Sequence, residues 1–228
     1  VDGVFTAASQ LRMPTLSPCE YLGLRPRYQD GTQIGGSSFM SHLAHAMAAI
    51  EHGLCEVALI AYGSTQRSVS RAAASPREYN PYETPYKPFL PASAYALAAS
   101  RHMHEFGTTR EHLAEVAVAA RQWALLNPVA WEKAPLSIQQ VLDARMVSAP
   151  LGVRDCCLVT DGGGAVILTS AARARTLKRK PAYVLGVGEC LSHAAISRMP
   201  DLTTTGAAIS GAQAYAMAGL AAKDVDAA

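Results

Sequence analysis

The stretch that decides the fold is GGSSFMSHLAHAMAAIEHGLCEVALIAYGS, residues 35–64. It opens on glycines and serines, and apolar residues then recur at helical spacing: Phe39, Leu43, Met47 and Ile50. Gly53 stands where a helix commonly ends, and Val57–Ala61 is a continuous apolar run typical of a strand covered on both faces. The pattern predicts a turn, a buried helix and a buried strand, which together form a unit of an α/β protein.

The turn before this helix is also a candidate site. Gly35 and Gly36 permit close approach of another group, and Ser37 or Ser38 is expected to cap the first helical turn. Free amides at a helix N-terminus favour an anion or an oxyanion. From the pattern alone, an ordinary buried helix–strand unit is the favoured interpretation.

Composition excludes several classes of function. Of the 228 residues, 50% are apolar and 17% are charged, which is typical of a globular α/β protein, and the net charge is +2. Basic residues cluster only at 173–180, without interleaved aromatic residues, so we expect no nucleic-acid binding. No segment has the apolar length of a membrane span.

Cysteine and histidine spacing gives no metal motif. The five cysteines form no Cys-x-x-Cys pair, and their odd number favours a reducing compartment, so we expect a cytoplasmic protein. His42 and His45 lie three residues apart on the predicted helix. They are interpreted as core histidines rather than a metal pair, because no carboxylate stands at metalloprotease spacing.

The remaining elements follow from periodicity and from glycine and proline positions. Residues 13–32 and 65–91 are expected to be loops, the first with a helical turn at Glu20–Leu22. The predicted helices are Ala92–Phe106, Thr109–Asn127, Ile138–Arg145 and Gly206–Gly219; the predicted strands are Val1–Ala7, Ala165–Leu168 (buried, after a glycine-rich turn), Tyr183–Gly188 and one starting at Val225.

Four tyrosines lie in or beside the second loop: Tyr62, Tyr79, Tyr82 and Tyr86. A phenol can orient or protonate a substrate oxygen, although packing of the loop by these rings is the favoured interpretation. The chain also starts at Val1-Asp2 and ends near Val225-Asp226 in similar surroundings, as two halves of a duplicated α/β fold would. We therefore expect an internal piece of a longer protein, inactive by itself.

Several motifs together resemble the thiolase superfamily, and within it the sterol-carrier or lipid-transfer type. They are the 35–64 stretch, WALLNP at 123–128, PLSI at 135–138, VLDARM at 141–146 and DCCLVTDGGGAVIL at 155–168. The last motif is the most specific, and the match covers nearly the whole chain.

The resemblance implies a fold of two similar halves in five αβαβα layers, with the second half incomplete here. It places the first half at 1–64 and 151–172, an inserted loop region at 65–150, and the start of the second half at 173–228. It also implies a homodimer and a coenzyme A thioester as substrate, with no bound cofactor and no metal.

The main departure from the family is the nucleophile. A thiolase has a reactive cysteine at the start of the central helix, and that position falls on Gly36 here. Because glycine forms no acyl-enzyme, a retro-aldol cleavage is the favoured reaction within this resemblance. Some lipid-transfer-type relatives are aldolases that work with a small OB-fold, zinc-ribbon partner, so the resemblance implies such a partner here. The alternative is a non-catalytic subunit that binds acyl-CoA or lipid.

The candidate site residues follow from these two arguments. Gly36, Ser37 and Ser38 form the expected oxyanion turn. The resemblance adds Cys157 beside the pantetheine arm, with a buried structural thiol as an equal alternative, and Asp161 and Gly162 as substrate-binding candidates. Tyr86 of the second loop is a further substrate-binding candidate. The turn Asp161–Gly164 is interpreted first as structural, with direct ligand contact as the second interpretation.

Overall fold

The computed structural model describes residues 1–8, 10–69 and 80–227. Within them the helices are α1 (Leu16–Leu22), α2 (Ser38–Glu51), α3 (Ala92–Phe106), α4 (Arg110–Leu125), α5 (Ile138–Leu142), α6 (Ala171–Ala174) and α7 (Ala207–Ala218). The strands are β1 (Gly3–Thr6), β2 (Tyr28–Asp30), β3 (Val57–Ser64), β4 (Met146–Ser148), β5 (Leu151–Gly152) and β6 (Gly162–Thr169). Short 3-10 turns lie at Thr84–Tyr86, Ile196–Arg198 and Ala222–Asp224.

The chain divides into two compact units. The first comprises the described parts of Val1–Arg77, Val159–Leu191 and Gly206–Ala228, and the second those of Glu78–Leu158 and Ser192–Thr205. The first unit contains a four-stranded sheet in the order β2-β1-β3-β6, and α2 packs on it. The second contains α3, α4, α5 and the antiparallel pair of β4 and β5.

Strands β1, β2 and β3 are parallel, and β6 runs antiparallel beside β3. The core between α2 and the sheet consists of Phe5, Ala46, Ala49, Cys55, Ala58 and Ile60. Small alanines on α2 let the helix approach the sheet closely. Fully burying a side chain as large as that of Phe5 or Ile60 contributes about 1.5–3 kcal/mol.

The central helix forms as predicted, but its most buried face differs from the expected one. Ser38, Ser41, His42, Ala46 and Ala49 are the buried residues of α2, while Phe39, Leu43 and Ile50 pack partly buried against the core. Ala46 and Ala49 belong to the core on the sheet, whereas Ser38 and His42 are buried where they bond residues 32–35. Gly53 follows the helix with a φ of +68°, as a helix C-terminus requires.

Three predicted strands need correction. β3 is buried on alternate residues only, so the expected cover on both faces is wrong. β6 includes the predicted turn glycines and is exposed over six of its eight residues, so the expected buried strand is also wrong. Tyr183–Gly188 forms no strand, because Gly186 and Gly188 lie against the backbone of α7 at Ala214 and Ser210.

Other boundaries follow local signals closely. α3 spans Ala92–Phe106 as predicted, and Gly107 ends it with a φ of +67°. Thr109 caps α4, with His112 completing a capping box, and Ser137 caps α5. α5 ends at Leu142, earlier than predicted, and the expected loop at 13–32 contains α1 and β2. The described residues near Val225 form no strand.

Candidate functional site

The carboxyl ends of the parallel strands place several loops at one edge of the sheet. β2 leads into the turn before α2, and β3 leads into residues 65–69. β6 starts at this same edge, because Gly162 pairs with Ser64 at the end of β3. The Phe39 and Tyr62 rings, whose centroids are 5.1 Å apart, join the first turn of α2 to this end of β3. Ligands of open α/β sheets bind at this edge.

The turn before α2 has room for another group. Gly35 has a φ of +85°, a conformation that favours glycine. Gly36 is exposed, and a Cβ added to it would meet no atom within 4 Å. The residue that replaces the thiolase cysteine in the resemblance therefore borders open space.

The two serines of this turn differ in what their hydroxyls do. Ser38 is fully buried; its Oγ accepts a hydrogen bond from the Ile34 amide at 2.9 Å and donates one to the Gly35 carbonyl at 2.7 Å. Ser37 is exposed at the N-cap and makes no side-chain cap. The predicted serine cap is wrong because Ser38 binds the preceding turn instead.

The start of α2 can stabilise negative charge. Among the described residues, the Phe39 amide has no hydrogen-bond partner, as is usual in the first turn of a helix. The aligned peptide dipoles add about half a positive charge at this end. A developing oxyanion beside Gly36 would meet favourable electrostatics, as in an oxyanion hole.

A polar network behind the turn was missed by sequence reasoning; His42 is a core histidine as expected, but the His45 side chain is 40% exposed, so that expectation is wrong for His45. The carboxylate of Asp30 accepts hydrogen bonds from the Thr32 amide and hydroxyl, both at 2.8 Å, and also contacts Nδ1 of His45. Nε2 of His42 lies 3.0 Å from the Thr32 carbonyl. The signal in the sequence was the spacing of Ser38, His42 and His45, which places them on one helix face.

Burial and charge set the ionisation of this network. Burial of the ring lowers the pKa of His42, and the neighbouring His45 also lowers it, while Asp30 and the Thr32 carbonyl oppose the shift. Burial would raise the pKa of Asp30, but hydrogen bonds from Thr32 and His45 lower it overall. The described residues contain no group of three metal-ligating side chains, and these histidines bind the turn.

Asp161 holds the loop that follows β3. Its carboxylate accepts hydrogen bonds from the Arg67 amide at 2.7 Å, the Ser68 amide at 3.1 Å and the Ser68 hydroxyl. The bond from the Ser68 hydroxyl and those from the two amides lower the pKa of Asp161. Its neighbour Gly162 is the first residue of β6. Asp161 and Gly162 thus lie at the same edge of the sheet as the end of β3.

The other candidates lie in the second unit. A cavity of about 470 Å³ is lined by the apolar side of α4, by Cys156 and Cys157, and by charged side chains. Among the latter, Arg121 contacts Glu132 at 3.3 Å, and Arg154 lies 4.0 Å from the same carboxylate. Cys157 is exposed, whereas partial burial and Asp155 raise the pKa of Cys156.

The tyrosines in and beside the second loop differ in exposure and in position. Tyr86 is 84% exposed and ends a 3-10 turn, and Tyr82 is 76% exposed. Tyr79 lies outside the described residues. Tyr62, which packs on Phe39, is thus the tyrosine that the structure places beside the start of α2.

Comparison with known families places these features in context. Residues 188–228 match the family described as Thiolase C-terminal domain-like. The chain is also 38% identical over 135 residues to an acetyl-CoA acetyltransferase of Methanothermobacter thermautotrophicus, covering 59% of this chain and 35% of that relative. The chain is thiolase-like.

Two further similarities extend over more of this thiolase-like chain. It is 28% identical over 215 residues to a steroid side-chain-cleaving aldolase of Thermomonospora curvata, covering 85% of the chain and 54% of the relative. The solved structure of an Ltp2-ChsH2(DUF35) aldolase matches with a TM-score of 0.84 and 26% identity, covering 99% of this chain and 60% of that one.

These comparisons confirm the thiolase-like α/β fold class. The resemblance to sterol-carrier and lipid-transfer relatives is confirmed by sterol carrier protein 2 of Bos taurus, which is 30% identical over 122 residues, covering 54% of this chain and 22% of that relative. The thiolase-like chain spans about a fifth to a half of the length of these curated relatives. Within the described residues, no helix is long and apolar enough to cross a membrane.

Proposed function

We propose that this chain is part of an enzyme that cleaves a carbon–carbon bond of a β-hydroxyacyl-CoA thioester by a retro-aldol reaction. The observation that carries this proposal is the turn before α2, where Gly36 borders open space and supplies no nucleophile. The neighbouring Ser38 hydroxyl is buried and already hydrogen-bonded twice. Similarity to a side-chain-cleaving aldolase supports the same reaction.

The chemistry of the turn fits this reaction better than a thiolase cycle. In a retro-aldol cleavage, a base removes the proton of the β-hydroxyl, a carbonyl forms there, and the bond between the α and β carbons breaks. Its electrons move to the thioester oxygen as an enolate, which is later protonated at the α carbon. The turn Gly35–Ser38 and the start of α2 would stabilise that enolate oxygen, and no acyl-enzyme is needed.

The substrate-binding assignments in the second unit belong to this proposal. The cavity beside Cys157 has an apolar wall that suits a pantetheine arm, and its charged lining contains Arg121 and Arg154, which share Glu132 as an ion-pair partner. Tyr86, which is exposed, remains a substrate-binding candidate from the sequence. No cofactor beyond the coenzyme A thioester is invoked.

A partner protein is the second part of the proposal. The matched aldolase structure is named as a complex of Ltp2 with ChsH2, a DUF35 protein. We therefore propose a DUF35-type partner, of the OB-fold and zinc-ribbon kind that the sequence resemblance implies. Pairing of two copies of the chain remains a prediction from that resemblance.

The test uses the full-length gene product, with and without a co-purified DUF35-type partner, and a panel of β-hydroxyacyl-CoA thioesters. We expect mass spectrometry to show a ketone or aldehyde together with a shortened acyl-CoA. The peptide 31–50, which contains no cysteine, should carry no acyl adduct. The variant Gly36→Cys should gain an acyl adduct there, since the structure has space for the side chain.

Two results would reject the retro-aldol assignment. A stable acyl group on Ser37 or Ser38 in the unmodified protein would restore a covalent mechanism. Tight binding of acyl-CoA with no cleavage by any member of the panel, with partner present, would favour the alternative of a non-catalytic acyl-CoA or lipid-binding subunit.

A further inference from the structure

We propose that Ser38, His42 and His45 are positioning residues, which together form one polar stripe on α2 that fixes the backbone of Gly35 and Gly36. The catalytic part of this inference, that the fixed turn stabilises an enolate oxygen, rests on the proposed function. Its structural part concerns residues 30–36 and can be tested without any substrate.

Ser38, His42 and His45 lie on one side of α2 and contact different residues of the segment that precedes the helix. Residues four and seven positions after Ser38 lie on its side of the helix, so the stripe runs along two turns of α2. Ser38 binds the Ile34 amide and the Gly35 carbonyl. These two hydrogen bonds close the end of the turn that carries Gly36, and they place a buried side chain directly behind it.

His42 and His45 hold the start of the same segment. The Thr32 carbonyl can only accept a hydrogen bond, so Nε2 of His42 is assigned the proton and donates at 3.0 Å. His45 contacts the Asp30 carboxylate, which in turn binds the Thr32 amide and hydroxyl. Thr32 is thereby held from both sides, and the path from β2 to Gly35 is determined by contacts to α2.

Packing alone does not account for a histidine at position 42. The ring is fully buried between Phe5 and Phe39, with centroid distances of 6.2 and 5.8 Å. With the proton on Nε2, Nδ1 is a buried acceptor that has no partner among the described residues. An unsatisfied buried polar atom is costly, and a leucine would avoid that cost. The feature that histidine has and leucine lacks is the hydrogen bond to the Thr32 carbonyl.

The experiment compares His42→Leu, which removes the donor, with His42→Gln, which keeps an amide N–H of similar reach. Ala49→Gly is the matched control, because Ala49 is buried on the same helix but away from the turn. Hydrogen exchange of the Ile34 and Ser38 amides reports the turn directly. The kcat and KM values of the full-length protein with its partner report its effect on cleavage.

We expect His42→Leu to accelerate exchange of the Ile34 amide by about fivefold to tenfold, the equivalent of one lost net hydrogen bond. The kcat value should fall by a similar factor with KM little changed, and His42→Gln should recover most of both. Ala49→Gly should lower global stability and leave the exchange of Ile34 relative to other protected amides unchanged.

Equal exchange at Ile34 in His42→Leu and Ala49→Gly would overturn the proposal. If His42→Leu does not fold, Ser38→Ala replaces it, since that variant removes both contacts to Ile34 and Gly35 and should show the same selective acceleration. If the unmodified protein cleaves no β-hydroxyacyl-CoA, the proposed function fails, while the exchange measurements still decide whether the stripe positions the turn.

Discussion

The Gly35–Ser38 turn leaves space beside Gly36, whereas Gly163, in the stretch Asp161–Gly164 at the same edge of the sheet, lies close against the backbone of β3. A Cβ on Gly36 would meet nothing within 4 Å, but one on Gly163 would lie 2.7 Å from the Tyr62 carbonyl oxygen. The Asp161 carboxylate is occupied by the amides of Arg67 and Ser68.

The difference shows why a count of glycines does not identify a binding turn. At Gly163 the missing side chain permits β6 to pair closely with β3. At Gly36 the missing side chain serves no packing role in the described structure, and the same is true of Gly162 and Gly164. Gly36 differs from them in its place just before the first turn of α2, and each prediction below tests that contrast with Gly163.

The largest expected effect is that of Gly36→Leu on activity. A leucine would occupy the space in front of the first turn of α2 and block the approach of a thioester oxygen. Loss of oxyanion stabilisation of this kind costs about 10²–10³ in kcat. We expect turnover of β-hydroxyacyl-CoA by the full-length protein to fall by at least that factor.

The fold should survive that substitution, because the added side chain points into open space. Circular dichroism and the urea midpoint should remain close to those of the unmodified protein. Unchanged turnover and acyl-CoA binding in folded Gly36→Leu would show that the open turn has no role in catalysis, and the contrast between the two turns would lose its functional meaning.

The second effect concerns stability and compares the same substitution at two glycines. Gly163→Ala places a methyl group against backbone atoms of β3, and overpacking of this kind costs about 1–3 kcal/mol. Gly36→Ala should be neutral or stabilising by up to about 1 kcal/mol, because it restricts the unfolded chain without strain. Urea unfolding of both variants measures the difference, and equal effects would contradict the structural assignment of Gly163.

Much of the fold was predictable because its signals are local. Gly107 ends α3 and Thr109 begins α4 through hydrogen bonds within a few residues, so those boundaries match the sequence pattern. Tyr183–Gly188 has the apolar residues of a strand but lies against α7 through Gly186 and Gly188. Sequence periodicity does not reveal such a tertiary contact, so the predicted strand there was wrong.

The candidate site, like the fold, was predictable where it depends on neighbouring residues in the sequence. The glycine–serine turn and its helix could be located from the sequence alone, since both depend on adjacent residues. The use of Ser38 as a support for the turn rather than a helix cap could not, because it depends on the path of residues 30–36 beside α2. The hydrogen bonds from the Arg67 and Ser68 amides to Asp161 were also not predictable, because they join residues more than 90 positions apart.

A third, smaller effect is the pH dependence of stability that His42 adds. Burial lowers the pKa of His42 in the folded protein, so the unfolded chain binds more protons below the ordinary histidine pKa of about 6.5. The neutral ring therefore contributes its full share to the free energy of unfolding above about pH 6.5. That share declines as the pH falls from there toward the lowered pKa of His42 in the folded protein.

The variant His42→Gln removes this contribution but keeps Asp30, whose lowered pKa acts only in the more acidic range below about 3.8. We expect the free energy of unfolding of the unmodified protein to decrease between pH 7 and 5 by more than that of His42→Gln. Parallel pH profiles for the two proteins, from urea titrations at each pH, would mean that His42 is not buried in its neutral form.

The smallest expected effect is that of Asp161→Asn, which tests the structural half of the comparison. An asparagine oxygen can still accept from the Arg67 and Ser68 amides, but the charge and one acceptor atom are lost. We expect exchange of the Ser68 amide to accelerate by roughly twofold to tenfold. Asp201→Asn is the control, because Asp201 binds the amide and hydroxyl of Thr203 in the second unit.

Cleavage of β-hydroxyacyl-CoA should change little in Asp161→Asn, because the carboxylate already accepts three hydrogen bonds from the loop that follows β3. The opposite pattern is informative as well. If turnover falls as far as in Gly36→Leu while exchange at Ser68 matches the Asp201→Asn control, then Asp161 contacts the substrate directly. Its hydrogen bonds to the loop would then be exchanged for contacts to the ligand on binding, and both turns would belong to the active site.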